Sequence, residues 1–179
     1  MKRKWLILTI SLMFVIAMAL AGCGSADSAD SDGTAAADAD IILSAVPELE
    51  PFIGGWGYQS APTECSTAYF FEENGQLEVV CAQHHGGGYE VMFDPGDISF
   101  DGDIMTCKNG YLLSEGGTAT DAELVATPVK TEPGAYFFVL TSQELEWFKG
   151  DQSWCYHYLK VAENEEELYE WIDENVPDL

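Results

Sequence analysis

The sequence predicts an all-β protein, an antiparallel up-and-down β-barrel followed by a short C-terminal α-helix. Three observations carry this expectation. From Pro51 to Val161 no amphipathic pattern of helix length occurs. Short apolar segments recur instead between the turn signals "EENG", "HHGGG", "DPGD", "FDGD", "CKNG", "EGG", "TEPG", "TSQE" and "FKGD". Strands spaced about 8–12 residues apart by Gly, Asn and Asp are the pattern of a sandwich or barrel. Only the final segment, "ENEEELYEWIDENVPDL", changes to a helical period.

The elements divide the chain into residues 1–22, 23–45, 46–162 and 163–179. The first opens "MKRKWLILTISLMFVIAMALAGCGS". Lys2, Arg3 and Lys4 precede an apolar run from Trp5 to Leu20, and small residues then lead to Cys23, as in a signal peptide. The run Leu20, Ala21, Gly22, Cys23 resembles a bacterial lipobox. The resemblance implies cleavage after Gly22 and a diacylglyceryl thioether on Cys23, which becomes the first mature residue. The alternative is a plain transmembrane anchor, but small residues ahead of a cysteine suit processing better. A lipid-anchored protein on the extracytoplasmic face of the bacterial cell membrane is expected, a monomer held there through Cys23.

Residues 23–45, mostly Ser, Ala, Asp and Gly, hold too little apolar area to offset ordering entropy and are expected to be a flexible tether. Such a chain spans roughly 25 Å. The "DIIL" near its end is a candidate for docking onto the domain.

Processing leaves four lysines, no arginine and 31 acidic residues, a net charge of −27. A field of that sign repels phosphate backbones and anionic headgroups, so nucleic acid is excluded as a partner. With no arginine there is no bidentate clamp for carboxylate or phosphate. Cationic, neutral or apolar partners are expected; the bland alternative is that acidity only keeps an exported protein soluble.

Residues 46–162 suffice for one core. The clearest hairpin is "TAYFFEENGQLEVVCA", where Asn-Gly favours a type I′ turn. A second is expected in "AYFFVLTSQELEWFK", with Tyr136 to Leu140 returning as Leu145 to Phe148. The last strand, "WCYHYLKV", alternates Trp154, Tyr156 and Tyr158 against Cys155, His157 and Leu159. Successive hairpins imply a meander, and closing it removes both exposed edges.

"GGWGY" (Gly54 to Tyr58), "FFEENGQLEV" (Phe70 to Val79), "DISFDGDIMTC" (Asp97 to Cys107) and "YHYLKV" (Tyr156 to Val161) together resemble small lipocalin-like domains of bacterial lipoproteins. The resemblance spans roughly residues 52 to 161. It implies a lipocalin-like barrel in which Trp56, of the G-x-W pattern, plugs one end and the interior holds a small apolar ligand. The arginine that often stacks on that tryptophan in the larger family is absent here. Trp147, Trp154 and Tyr156 join Trp56 as plug or pocket candidates.

In the last segment Asn164 precedes three glutamates, an N-cap with carboxylates in the first turn. Leu168, Trp171, Ile172 and Val176 share one face, and Pro177 ends the helix. Packing on the barrel wall is expected, with partner binding as the alternative.

Besides Cys23 there are four cysteines, an even number that in an exported domain suggests disulfides. In the Asn-Gly hairpin paired positions sum to about 147 or 149. Cys65 and Cys81 then lie nearly opposite, and a one-residue bulge would let them bridge. Cys107 and Cys155 follow by elimination. The alternatives are buried free thiols, or zinc on Cys81, His84, Cys107, Cys155 and His157, although no Cys-x-x-Cys pair occurs.

The stretch "CAQHHGGGYE" looks most like chemistry. Its "HGGG" resembles an esterase oxyanion loop, but no G-x-S-x-G elbow accompanies it. Adjacent histidines on a strand point to opposite faces, so His84, His85 and Tyr89 are read as a ligand-binding rim at a barrel mouth rather than a metal site. Asp94, Asp97, Asp101 and Asp103 lack calcium-loop spacing and are read as solvated turns. No nucleophile–base constellation can be read from the spacing, so neither an enzyme nor a cofactor is expected. Two functions remain: a membrane-tethered barrel holding a small apolar or weakly cationic ligand, or a cavity-free envelope interaction or inhibitor protein using an acidic face.

Overall fold

Strand β2 (Glu64–Glu73) returns as β3 (Gln76–Gln83) through Asn74 and Gly75, whose φ angles are 53° and 79°. Two consecutive positive φ values make the type I′ turn that the Asn-Gly pair favours. Pairing then runs without a break from Glu73 opposite Gln76 to Ser66 opposite Gln83. A computed structural model gives this picture and describes residues 41–61, 64–83, 87–114, 116–150 and 154–175.

The remaining strands are β1 (Gly54–Ala61), β4 (Gly88–Phe93), β5 (Ile98–Asp101), β6 (Ile104–Ser114), β7 (Gly117–Pro128), β8 (Ala135–Thr141) and β9 (Trp154–Ala162). Every neighbouring pair is antiparallel, β9 returns to β1, and β4 pairs with β6. The result is a closed eight-stranded, up-and-down, lipocalin-like barrel, with β5 an extra strand alongside β6. Closure leaves none of the eight barrel strands as a free edge.

β6 shows how one strand serves two neighbours. "CKNG" reads as a turn in the sequence, yet β6 runs through it. Asn109 takes φ 54° and the β6–β7 register shifts between Cys107 and Gly110, which is a bulge. Before the bulge β6 pairs with β5, and after it with β4. Gly110 is buried under the ring of Phe93, leaving no room for a side chain.

The second hairpin differs from expectation. Residues after Thr141 do not return as a strand over Leu145 to Phe148; Glu146–Phe148 is a 3-10 turn, and the partner of β8 is β9. Asp121 on β7 accounts for this, because its carboxylate accepts hydrogen bonds from the Ser142 hydroxyl and the Gln143 and Glu144 amides. Those amides would otherwise serve a strand ladder. Phe148 folds back to be buried instead.

Period-two alternation sends Phe70, Val79, Val91, Leu112, Leu124 and Phe138 inward, and all six are buried. One end of the barrel is closed by the segment before β1. Ile41–Ala45 forms a short helix, α1, in which Ile42 is 0 % exposed and donates its amide proton to Glu72 Oε2 at 2.9 Å. Thus Ile42 and Leu43 of "DIIL" dock, while Asp40 lies outside the described residues. The C-terminal helix α2 (Glu165–Asn175) is capped as expected, Asn164 Oδ1 accepting from the Glu167 amide and Glu167 Oε2 from the Glu163 amide. The pair resembles a capping box, except that Glu167 reaches the amide one residue before the N-cap. Leu168 is buried, Trp171 and Ile172 are half-buried, and Val176 lies outside the described residues.

Candidate functional site

"GGWGY" explains itself once β1 is placed. Trp56 points inward while Gly55 and Gly57 point outward under α2. A Cβ at Gly55 would stand 2.9 Å from the Leu168 side chain, and one at Gly57 would stand 2.6–2.8 Å from Trp171 ring atoms. Bare backbone on one face therefore lets the helix sit close, and an indole fills the other.

Trp56 is 2 % exposed. Its ring meets Phe52, Phe70, Tyr136 and Phe138 at centroid distances of 5.1–6.4 Å, and Nε1 donates to the Phe52 carbonyl at 2.8 Å. A buried indole needs a partner for that proton, and the segment before β1 supplies it.

Above this aromatic floor the described side chains pack closely. Between Phe70, Cys81, Tyr89, Leu140 and Tyr158 there remains a void of about 10 Å³. That is roughly one water-sized probe, whereas pockets for small ligands run to roughly 300–1,000 Å³. Tyr89, expected on the rim, is 7 % exposed and lies inside, edge-on to Phe148 at 5.5 Å. Period-two alternation from Val91 puts it there. Trp147, expected as plug or pocket, is 74 % exposed because its segment is a 3-10 turn, not a strand. His84 and His85 lie outside the described residues, as do the side chains of Trp154, Cys155 and Tyr156. Gln83 and Gly88, which flank the histidine loop, are at the same barrel end as Ser114 and Gly117.

The expected bridges do not form: Cys65, Cys81 and Cys107 are free and buried. Cys81 sits opposite Ala68, and the β2–β3 register carries no bulge. Cys65 is three residues from Ala68, on the opposite face of β2, so the Cys65 and Cys81 side chains cannot meet. For Cys107 and Cys155, two strands intervene, since the register runs Thr106, Val125, Val139, Cys155 across β6 to β9. Burial pushes the thiols up, Cys65 to about 11 and Cys81 and Cys107 to about 12. Among the described residues no group of three His, Cys, Asp or Glu side chains could hold a metal ion. His157 Nε2 instead faces Glu132 Oε2 at 3.1 Å.

What the sequence reading missed is on the outside. On β3 the apolar run "QLEVV" carries Glu78, whose side chain points away from the interior yet is only 9 % exposed. Phe71 and Met92 are its direct cross-strand neighbours. Burial, then the charges of Glu90 and Glu73, push its carboxyl up to about 7. Burial also raises Glu90. The signal was legible in principle, since an acid between two inward hydrophobics, Leu77 and Val79, must face outward.

With this geometry in hand, comparison with family models, curated proteins and solved structures finds no match for the chain.

Proposed function

We propose that this protein is a lipid-anchored, extracytoplasmic interaction protein whose solid barrel presents its outer surface to a partner. The observation that carries the reading is the close packing of the described interior side chains, which leave about 10 Å³ of void where a carrier would need room for a ligand. The anchor rests on the lipobox resemblance at Cys23, and the tether would hold the barrel clear of the membrane. The excess of acid favours cationic or neutral partners.

The test has two parts. A hydrophobic fluorescent probe such as an anilinonaphthalene sulfonate or a fatty-acid analogue should give no saturable signal with the purified protein. One-to-one uptake, quenched by filling the interior through Ala68→Phe, would overturn the reading in favour of a ligand carrier. Cys23→Ser should abolish metabolic labelling by radioactive palmitate and shift the protein from the membrane to the released fraction. Unchanged fractionation and labelling would remove the anchor.

A further inference from the structure

The outer face of the barrel over β2, β3, β4 and β6 is an apolar sheet surface with two carboxylates set into it. Two cross-strand rows define it: Phe71, Glu78, Met92 and Tyr111, then Tyr69, Val80, Glu90 and Leu113. Direct neighbours in such rows stand roughly 5 Å apart at Cβ, so the eight side chains form one continuous patch. Tyr69 and Phe71 stack at 5.2 Å, and Tyr111 is among the exposed large hydrophobics. Neither Glu78 nor Glu90 has a hydrogen-bond or ion-pair partner among the described residues.

We propose that this face docks a partner polypeptide that sets a lysine or arginine between apolar side chains, the cation seating between Glu78 and Glu90. The proposal rests on the interaction reading above and names the surface and the chemistry it recognises.

Charge decides the occupant. A largely covered carboxylate without a counter-ion is unfavourable, and a cation from outside would relieve it. The aromatic rings beside it favour a cation as well. A second copy of this chain, its own aspartate-rich tether and an anionic membrane all carry the wrong sign. A small free cation is a poor fit, because small-molecule sites are concave and this is the outside of a barrel. Strand addition is closed off too, since β2, β3 and the second half of β6 already have neighbours on both sides. Recognition must therefore run through side chains.

The test titrates the purified full-length chain with a synthetic peptide alternating lysine with leucine and tyrosine, followed by calorimetry. Glu78→Gln should weaken binding about tenfold, and Glu78→Gln with Glu90→Gln further. Tyr111→Ser should also weaken it. Glu123→Gln on β7 and Glu166→Gln on α2 remove the same charge elsewhere and should change affinity less than about twofold. The same peptide with norleucine for lysine should bind at least about tenfold more weakly. Equal losses at Glu78, Glu123 and Glu166 would reduce the effect to overall charge and overturn the proposal. So would undiminished binding of the norleucine peptide, or no binding of the lysine peptide. Probe uptake into the barrel would instead defeat the solid-barrel reading and leave these outcomes separately readable.

Discussion

Glu78 shows how a single side chain can trade stability for surface chemistry. Its carboxyl is pushed up to about 7 from an ordinary 4.5 by burial and by the neighbouring Glu90 and Glu73. Between those two values the folded protein holds a proton that the unfolded chain has lost. Stability therefore falls as pH rises from about 4.5 to about 7 and stays reduced above it. Glu78→Gln removes the titrating charge and should raise stability by about 1–2 kcal/mol at pH 8, with little change at pH 4. Urea denaturation at both pH values checks this. An equal offset at both would mean that the substitution acts through packing rather than ionisation.

At the level of elements, the junction between β1 and α2 is the most exacting contact. Alternation leaves Gly55 and Gly57 outward, and the Trp171 ring fills the space where a Gly57 side chain would be. Gly57→Ala should cost about 1–3 kcal/mol through overpacking, while Gly96→Ala, with nothing within 4 Å, should cost far less. Trp171→Ala in the Gly57→Ala background should recover part of the loss, read as a coupling energy in a double-mutant cycle. Additive effects of the two substitutions would mean that the helix does not sit on this glycine. Helix α2 itself was legible, because Asn164 and Glu167 are local signals three residues apart and the structure uses both. The strand expected over Leu145 to Phe148 and the turn expected at "CKNG" do not form, for the opposite reason. Asp121, about twenty residues upstream, decides the first, and the double pairing of β6 decides the second.

For the molecule as a whole, closure makes the core one cooperative unit. Cys81 and Cys107 belong to that core, and Cys65 is buried on the opposite face of β2 from it. Thiolates are the reactive species, and burial holds all three thiols well above neutral pH. Iodoacetamide should therefore modify Cys65, Cys81 and Cys107 only as denaturant unfolds the chain, with midpoints coinciding with the loss of structure. Rapid modification in native buffer would show that the wall opens locally.

By itself the sequence determined what short-range physics controls. Turn residues with positive φ set the Asn74–Gly75 hairpin and its register, period-two alternation set which residues face the core, and a capping pair set the final helix. Tertiary structure decided what depends on distant strands meeting. Whether Cys107 and Cys155 can bridge depends on where β6 and β9 fall in the barrel, and two strands part them. Whether aromatic residues leave a pocket or fill it depends on how eight strands close, because a composition rich in Trp, Tyr and Phe serves either outcome. Glu78 makes the same point, since local alternation turns it outward, but only Phe71 and Met92 on neighbouring strands make it a covered acid.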